Sequence, residues 1–221
     1  MARTAAPSDQ DAAERSGRRT GLERDDIVAA ALDLVEREGP AALTMRRLAT
    51  ELDVGTPTIY WHVASRDELV AEVIRLQSSR LAEQPITGTT ARDRVFSAAR
   101  NVWTSSIEHR ATTSLAHQTG TSSLLAHHLE AALVMELEAA GLVGPDAAEA
   151  SRAILITISG ALVLALRDLS ASPPGSRPDE LWATSNAPIA AATRDALRTE
   201  PDLDALSAIT LRAAIDHFVP A

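Results

Sequence analysis

The chain has 221 residues, no cysteine and a formal net charge of −9, which is long enough to bury a hydrophobic core. The absence of cysteine excludes disulfides and thiolate metal sites and favours a reducing cytoplasm. An acidic chain is not typical of a nucleic-acid binder, so any DNA contact must come from a local basic surface. All 21 basic residues are arginine, and the guanidinium group suits bidentate contacts with phosphate or guanine.

Residues 1–20 are polar and show no hydrophobic periodicity, so they are predicted to form a flexible arm. The arm contains no apolar stretch of the kind found in a signal peptide. Its Arg18 and Arg19 could enter a DNA minor groove, and a solvated tail explains them equally well. From Glu23 an apolar stripe at helical spacing predicts a first helix, which ends at Gly39-Pro40.

A second and a third helix are predicted next, with a tight turn between them. Thr44 is a suitable N-cap for the second helix. The stretch Leu52-Asp53-Val54-Gly55 predicts the turn. After it, Thr56 is expected to cap the third helix and Pro57 to occupy the favoured first helical position. This arrangement predicts a helix-turn-helix.

The third helix carries an unusual group of rings. Ile59 and Val63 lie four residues apart, so they are expected to form its buried side. The adjacent Tyr60-Trp61-His62 cannot all share that side, and part of this group must face outward. A short helix with exposed hydrogen-bonding rings suits the DNA major groove. The alternative is a surface helix with a packed aromatic pair.

A fourth helix is predicted to start at Ser65, where Ser65-Arg66-Asp67-Glu68 has the pattern of a capping box, and to run to about Leu81. Pro85 and Gly88 then mark a linker. Further helices are predicted near 92–109, 123–140, 145–170, 188–199 and 202–218, with an irregular loop at 171–187. No strand pattern is present, so the predicted fold class is all-α.

Two of the later helices have special apolar surfaces. The run from Ala153 to Leu166 has fourteen residues, which is too short to span a bilayer and indicates a buried helix. The last helix is apolar on two sides: Leu206, Ile209 and Ala213 on one, and Leu211, Ile215 and Phe218 on the other. A helix of this kind needs two partners, which favours a dimer interface over a large monomeric core.

The region from Leu43 to Leu69 resembles the DNA-binding domain of the TetR (tetracycline repressor-like) family of transcriptional regulators. Within that family, its sequence is most similar to the tetracycline-repressor branch. The matching stretches are Leu43-Thr44-Met45-Arg46-Arg47-Leu48-Ala49, Leu52-Asp53-Val54-Gly55, Tyr60-Trp61-His62-Val63 and Arg66-Asp67-Glu68-Leu69. The resemblance covers about the first third of the chain. It implies a homodimer that places the third helix of each subunit in the major groove.

The expected DNA contacts follow from these motifs and from the chemistry of the side chains. Arg47 is expected to be a solvated surface charge rather than a contact. Arg66 matches a basic position that holds a phosphate, and pairing with Asp67 or Glu68 is the alternative. The predicted DNA-binding residues are Arg46, Thr56, Thr58, Tyr60, Trp61, His62 and Arg66.

A ligand site is expected in the C-terminal region. Trp103, His117 and His128 are the candidate ligand-binding residues. Trp103 is either core or pocket wall, His117 lies near a ligand-contacting position of the tetracycline-binding relatives, and His128 is expected to point inward. His127 is expected to be solvated. The histidine spacing contains no His-x-x-x-His pair, so no metal site and no cofactor are predicted.

These observations predict a flexible arm at 1–20, a helix-turn-helix DNA-binding domain with a connecting helix at 21–83, and a helical ligand-binding and dimerisation domain at 84–221. The predicted function is a ligand-responsive transcriptional regulator in the cytoplasm, most simply a repressor that binds a palindromic operator as a homodimer and is released by a small-molecule inducer. No membrane association is expected. The alternatives are an all-α enzyme, for which no nucleophile–base pair or phosphate loop is present, and a helical adaptor that has lost DNA binding.

Overall fold

The computed structural model describes residues 22–167, 173 and 175–220. Within these residues it contains eleven α-helices and no strand, which confirms the all-α prediction. The helices are α1 (Arg24–Glu38), α2 (Met45–Glu51), α3 (Thr56–His62), α4 (Arg66–Leu81), α5 (Ala91–Glu108), α6 (Arg110–Gln118), α7 (Ser122–Ala139), α8 (Pro145–Ala165), α9 (Pro178–Thr184), α10 (Ala191–Leu197) and α11 (Leu203–Phe218). The predicted arm and its Arg18 and Arg19 lie outside the described residues.

The chain divides into two compact units. The first unit contains the described residues up to Arg80 together with Ala111–Leu125. The second unit contains Leu81–Arg110 and the described residues from Ala126 onward. Helix α6 joins the first unit because Thr112 is fully buried there and its hydroxyl donates a short hydrogen bond to the Glu36 carboxylate. The sequence prediction had assigned all residues after 83 to the second domain.

The first unit is held by apolar residues from α1 to α4. Ile27, Leu34, Leu48 and Val73 are fully buried. Ile59 is also fully buried, and burying an aliphatic side chain of this size stabilises a fold by about 1.5–3 kcal/mol. The core therefore fixes the short helix α3, which at seven residues is too short to be stable alone.

The caps of these helices agree in part with the sequence prediction. The Thr44 hydroxyl accepts a hydrogen bond from the Arg47 N–H at 3.1 Å, as predicted. The Ser65 hydroxyl accepts from the Glu68 N–H at 3.1 Å, but the Glu68 carboxylate returns to the N–H of Ala64 at 2.8 Å. The prediction that Thr56 caps α3 was wrong: Gly55 is the N-cap and Thr56 is the first helical residue.

The turn between α2 and α3 is a Schellman motif. The Val54 N–H donates to the Ala49 carbonyl at 2.9 Å, and the Asp53 N–H donates to the Thr50 carbonyl at 3.3 Å. Asp53 occupies the left-handed position with φ 52°. Aspartate tolerates this conformation better than most residues without being as suited to it as glycine. Gly55 has an ordinary φ of −74°, so the left-handed residue of the turn is Asp53.

Helices α5, α8 and α11 pack on one another in the second unit. Helix α7 buries a stripe formed by Leu129, Leu133 and Leu137. His128 lies off this stripe and is exposed, so the expectation that it points inward was wrong. His127 is exposed, as predicted. The buried side of α7 thus consists of leucines four residues apart, and Met135 lies on its exposed side.

Two short helices were not predicted. Helix α6 follows α5 directly and has only nine residues, of which Leu115 is the single large apolar one, so its sequence gives a short helical signal. Helix α9 lies inside the stretch predicted as an irregular loop at 171–187, where Pro178 occupies its first turn. Helix α8 ends at Ala165; the predicted extension to Ser170 falls partly on residues that are not described.

The apolar run in α8 is only partly buried. By length and composition alone, helix α8 is long and apolar enough to cross a membrane. Of its most apolar stretch, 28% is buried. Ile156 is 72% exposed and Val163 is 63% exposed, whereas Ile154 and Ile158 are buried. The expectation of a buried helix was therefore correct for one face only.

A hydrogen-bonded carboxylate joins α5 to α11. The Asp204 carboxylate accepts from the Arg100 guanidinium at 2.7 Å and from the indole N–H of Trp103 at 2.8 Å. The hydrogen bond from Arg100 has the largest effect, followed by the one from Trp103, and both lower the pKa of Asp204 from its ordinary value. Arg100 also donates to the Ser207 hydroxyl at 2.9 Å, so the same guanidinium bonds two residues of α11.

The left-handed turn predicts a large response to substitution at Asp53 and a small one at Gly55. Asp53→Val should lower the free energy of unfolding by about 1–2 kcal/mol, because a β-branched residue is strained at positive φ. Gly55→Ala should lower it by only about 0.5 kcal/mol, because alanine is a poorer N-cap than glycine while its new Cβ meets Pro57 Cδ at an ordinary 3.5 Å. Urea unfolding of both variants measures the difference. A larger loss in Gly55→Ala than in Asp53→Val would contradict this description of the turn.

The Asp204 contacts predict a pH-dependent contribution to stability. Because the folded-state pKa is lowered, the contribution is full above the ordinary carboxyl pKa and is lost as the pH falls through the folded value. Asp204→Asn should therefore lower the melting temperature at neutral pH, and this difference from wild type should shrink in acid. The control is Asp195→Asn, which removes an exposed carboxylate on α10. An equal difference at neutral and acidic pH would contradict the prediction.

Candidate nucleic-acid interface

Helix α3 presents two different sides. Ile59 is fully buried and Val63, which follows the helix, is 1% exposed. Tyr60 is 51% exposed and Trp61 is 87% exposed. His62 is half-buried. The prediction that part of the aromatic group faces outward is confirmed, and the large exposure of Trp61 excludes a packed aromatic pair.

The N-terminal end of α3 offers hydroxyl groups and one backbone donor. Thr58 is exposed and Thr56 is half-buried. Pro57 has no N–H, and the N–H of Thr58 donates to the Gly55 carbonyl at 2.9 Å. Of the first three helical residues, only Thr56 therefore keeps an N–H without a partner among the described residues. The threonine hydroxyls are consequently the main polar groups at this end.

Two arginines beside α3 have no carboxylate partner among the described residues. Arg46 is exposed on α2, one turn before the Schellman motif. Arg66 is exposed at the start of α4, and its Nε donates to the Leu43 carbonyl at 3.1 Å. Arg66 forms no ion pair with Asp67 or Glu68, so that alternative was wrong. The backbone contact holds the guanidinium in place and leaves its terminal N–H groups for another acceptor.

Arg47 differs from its neighbour Arg46, since it is part of an ion-pair cluster between α1 and α2. It contacts Glu38 at 2.7 Å and Glu51 at 2.8 Å, and Arg37 also contacts Glu51 at 2.9 Å. The hydrogen bond from Arg37, followed by its charge and that of Arg47, lowers the pKa of Glu51. The i,i+4 spacing of Arg47 and Glu51 is the sequence signal for this pairing. Arg47 is therefore a paired surface charge rather than the purely solvated one expected.

The stretch of chain that contains α3 carries no carboxylate, in contrast to the acidic chain as a whole. No aspartate or glutamate occurs between Asp53 and Asp67. The stretch between them contains α3 and Arg66, and Arg46 lies on the preceding helix. A polyanion that approaches this surface meets free guanidinium groups and no carboxylate on the helix itself.

The candidate ligand-binding residues do not form one cluster within a unit. Trp103 is 3% exposed in the second unit, and its indole N–H is already bonded to Asp204. His128 belongs to the same unit and is exposed. His117 lies in the first unit and is exposed. No group of three metal-binding side chains occurs among the described residues.

The sequence of this first unit matches a known family. Residues 27–73 match the family of bacterial regulatory proteins of the tetR type. This region of the chain is thus similar to the N-terminal domain of TetR regulators. An HTH-type transcriptional regulator of Saccharopolyspora erythraea is 41% identical over 49 residues, which are 22% of this chain and 21% of that protein. The Escherichia coli tetracycline repressor protein class E is 43% identical over 49 residues, which are 22% of this chain and 23% of that protein. The chain thus spans under a quarter of the length of these relatives.

Solved TetR structures share the fold over most of the chain. The transcriptional regulator SCO7222 of Streptomyces coelicolor has a TM-score of 0.68 and 22% identity over 90% of this chain and 100% of that chain. The Streptomyces coelicolor protein ActR with actinorhodin has a TM-score of 0.65 and 23% identity over 90% and 97%. BioQ with its natural double-stranded DNA operator has a TM-score of 0.52 and 28% identity, and the match covers 66% of this chain and 87% of that chain.

Adjacent arginines in this TetR domain allow a matched test of the free guanidinium. Arg46→Gln should weaken binding to duplex DNA from upstream of the protein's own gene several-fold and reduce the salt slope by about 1, because one phosphate contact is lost. Arg47→Gln should have a smaller effect, since Glu38 and Glu51 already engage that side chain. Fluorescence anisotropy at several salt concentrations measures both. Equal losses would show that the ion-pair cluster opens when DNA binds.

Proposed function

We propose that this TetR protein is a ligand-responsive transcriptional repressor that binds a palindromic operator as a homodimer. The observation that supports this most is α3, whose buried Ile59 leaves Tyr60 and Trp61 exposed in a stretch of chain, residues 54–66, that contains no carboxylate. In this proposal α3 enters the major groove, where ring and hydroxyl groups reach base edges and phosphates. The BioQ complex with its operator supports DNA as the partner.

The proposed DNA contacts divide by chemistry. Arg46 and Arg66 hold phosphates through their free guanidinium N–H groups, which fixes the register of the helix on the duplex. Tyr60 and His62 can read base edges or bind phosphate. Thr56 and Thr58 do the same at the start of α3, and the exposed ring of Trp61 packs against the sugar–phosphate backbone.

A homodimer is supported by an exposed apolar face in the second unit. Ile156 and Val163 of α8 are exposed, and Leu206 and Ile209 of α11 are 48% and 65% exposed. Leu211 and Ile215, on the other side of α11, are fully buried. Helices α8 and α11 pack on each other, and in this proposal their exposed apolar residues form one face. Monomeric proteins rarely expose such a face, and a second copy of the chain would cover it.

The proposed regulation is a shift between two states of the dimer. Two recognition helices must reach major grooves about 34–36 Å apart, or a multiple of this distance. A small molecule that binds better to a dimer with another spacing lowers the population that can bind the operator.

The TetR relatives are regulators rather than enzymes, so we assign no catalytic role to this chain. We also propose that the protein is soluble and cytoplasmic.

DNA binding is tested with the duplex that flanks the protein's own gene. The wild-type protein should retard this DNA specifically in a gel-shift assay, compared with random DNA of the same length, and binding should weaken steeply with salt. Tyr60→Ala and His62→Ala should weaken binding without changing the oligomeric state or the circular dichroism spectrum. Ile59→Ala is the structural control, because it should cost about 2–5 kcal/mol of stability. Unchanged DNA binding in both ring variants would refute the assignment of α3.

The dimer face is tested by placing a charge on it. Ile209→Glu should convert the dimer to a monomer, because an unpaired carboxylate in an apolar interface is costly to desolvate. Met135→Glu, an equally exposed apolar residue on α7 (68% against 65%), should leave the dimer intact. Sedimentation velocity measures both variants. A monomeric wild-type protein, or a dimeric Ile209→Glu variant, would overturn the proposed interface.

A further inference from the structure

Gly160 lies inside helix α8, and nothing in the described part of the chain requires a glycine there. Its backbone is helical without a positive φ, so any residue could adopt this conformation. A Cβ on Gly160 would meet no other part of the chain within 4 Å. Gly88 is the opposite case, because a Cβ there would lie 2.7 Å from the Asp93 Cβ. Glycine inside a helix is less stable than alanine, so its presence at position 160 needs a reason.

The surroundings of Gly160 on the helix surface are apolar and exposed. Ile156 precedes it by four residues, and Val163 and Leu164 follow it by three and four, so all three lie beside it on the same side of α8. Their side chains are 72%, 63% and 51% exposed, and Gly160 is exposed as well. The glycine is therefore a gap in an exposed apolar ridge.

Such a gap allows the backbone of another helix to come close. The distance between packed helix axes, usually 8–10 Å, depends on the size of the side chains at the contact. A glycine between larger residues removes the one Cβ that would hold a second helix away, while Ile156 and Val163 can pack on either side of it. Because no described part of this chain covers Gly160, the gap points to a helix from another molecule.

The charges at the ends of the ridge indicate which molecule supplies this helix. Arg152, one turn before Ile156, is exposed and has no carboxylate partner among the described residues. The exposed apolar side of α11 is bounded instead by two exposed carboxylates, Asp202 and Asp216, the second of which lies 3.7 Å from Arg92. One chain thus carries an apolar helix side next to a free cation and another next to anions. Two copies related by a two-fold axis can match these sides twice.

We propose that Gly160 is the point at which α8 crosses α11 of a second copy of the chain at close range. This inference rests on the proposed homodimer, to which it adds the pair of helices that meet and the place where they cross. In this arrangement Arg152 lies next to the acidic end of the other copy's α11. The lower helix propensity of glycine is offset by the closer packing that it permits.

The close crossing is tested by adding side-chain volume at Gly160 in the full-length protein. Gly160→Ala should weaken the dimer by about 10-fold or more, because even one extra methyl group overpacks a close contact. Gly160→Leu should be monomeric at concentrations where wild type is a dimer. Ala131→Leu adds volume at an exposed position inside α7 and should leave the dimer unchanged. Sedimentation velocity over a dilution series measures the dissociation constants, and circular dichroism checks that each variant is folded.

The choice of α11 as the opposing helix is tested by reversing a charge. Arg152→Glu should weaken the dimer by about 3-fold at low salt, because it places like charges together, and the effect should shrink at high salt. Arg80→Glu is the matched control, since Arg80 is also exposed without a carboxylate partner in the described part of the chain, but lies on α4 of the first unit. Equal effects of these two variants would overturn the pairing of α8 with α11.

The remaining outcomes separate this inference from the proposed function. A dimeric wild type with an equally tight Gly160→Leu dimer would overturn the crossing at Gly160 and leave the homodimer standing. A monomeric wild type would refute the homodimer itself. If that monomer sedimented with phosphatidylcholine vesicles, the apolar ridge of α8 would be a lipid-binding surface instead.

Discussion

The burial of Ile59 determines which side chains the first unit presents to a partner. A helix of seven residues has no stability of its own, so its orientation is set by its contacts with the core. With Ile59 and Val63 against the core, the geometry of an α-helix directs Tyr60 and Trp61 outward. Rotation of the helix that hid the tryptophan would expose the isoleucine instead. The surface that carries Tyr60 and Trp61 is thus a consequence of the packing behind it.

Ion pairing explains how an acidic chain can keep unpaired arginines beside α3. Most arginines of the first unit are engaged by carboxylates, as Arg37 and Arg47 are by Glu38 and Glu51. Such exposed pairs contribute little to stability, but they neutralise charge away from α3. Arg46 and Arg66 remain without carboxylate partners in the described part of the chain. Net charge therefore describes solubility here, and the distribution of paired and free arginines describes the interface.

The second unit combines an apolar face with a polar defect in its core. Helix α11 buries Leu211 and Ile215 within the chain and exposes Leu206 and Ile209. Helix α8 follows the same division. The buried serines of α5 and α8, Ser105 and Ser151, are the reverse case, because polar atoms lie where apolar ones would pack better. The exposed apolar face is the surface on which we propose that a second copy of the chain packs.

The amino-acid sequence by itself determined the helical class, the helix-turn-helix and the two-sided last helix, because these depend on local periodicity, caps and turn residues. It did not determine that Asp53 rather than Gly55 is left-handed, since both residues are compatible with a tight turn. Nor did it reveal that α6 belongs to the first unit, because that depends on the Thr112–Glu36 contact between residues far apart in the chain. The exposure of His128 and the pairing of Arg47 with Glu38 were likewise decided by the tertiary structure. Periodicity identifies an apolar stripe, but only packing selects which of two similar stripes is buried and which charges meet.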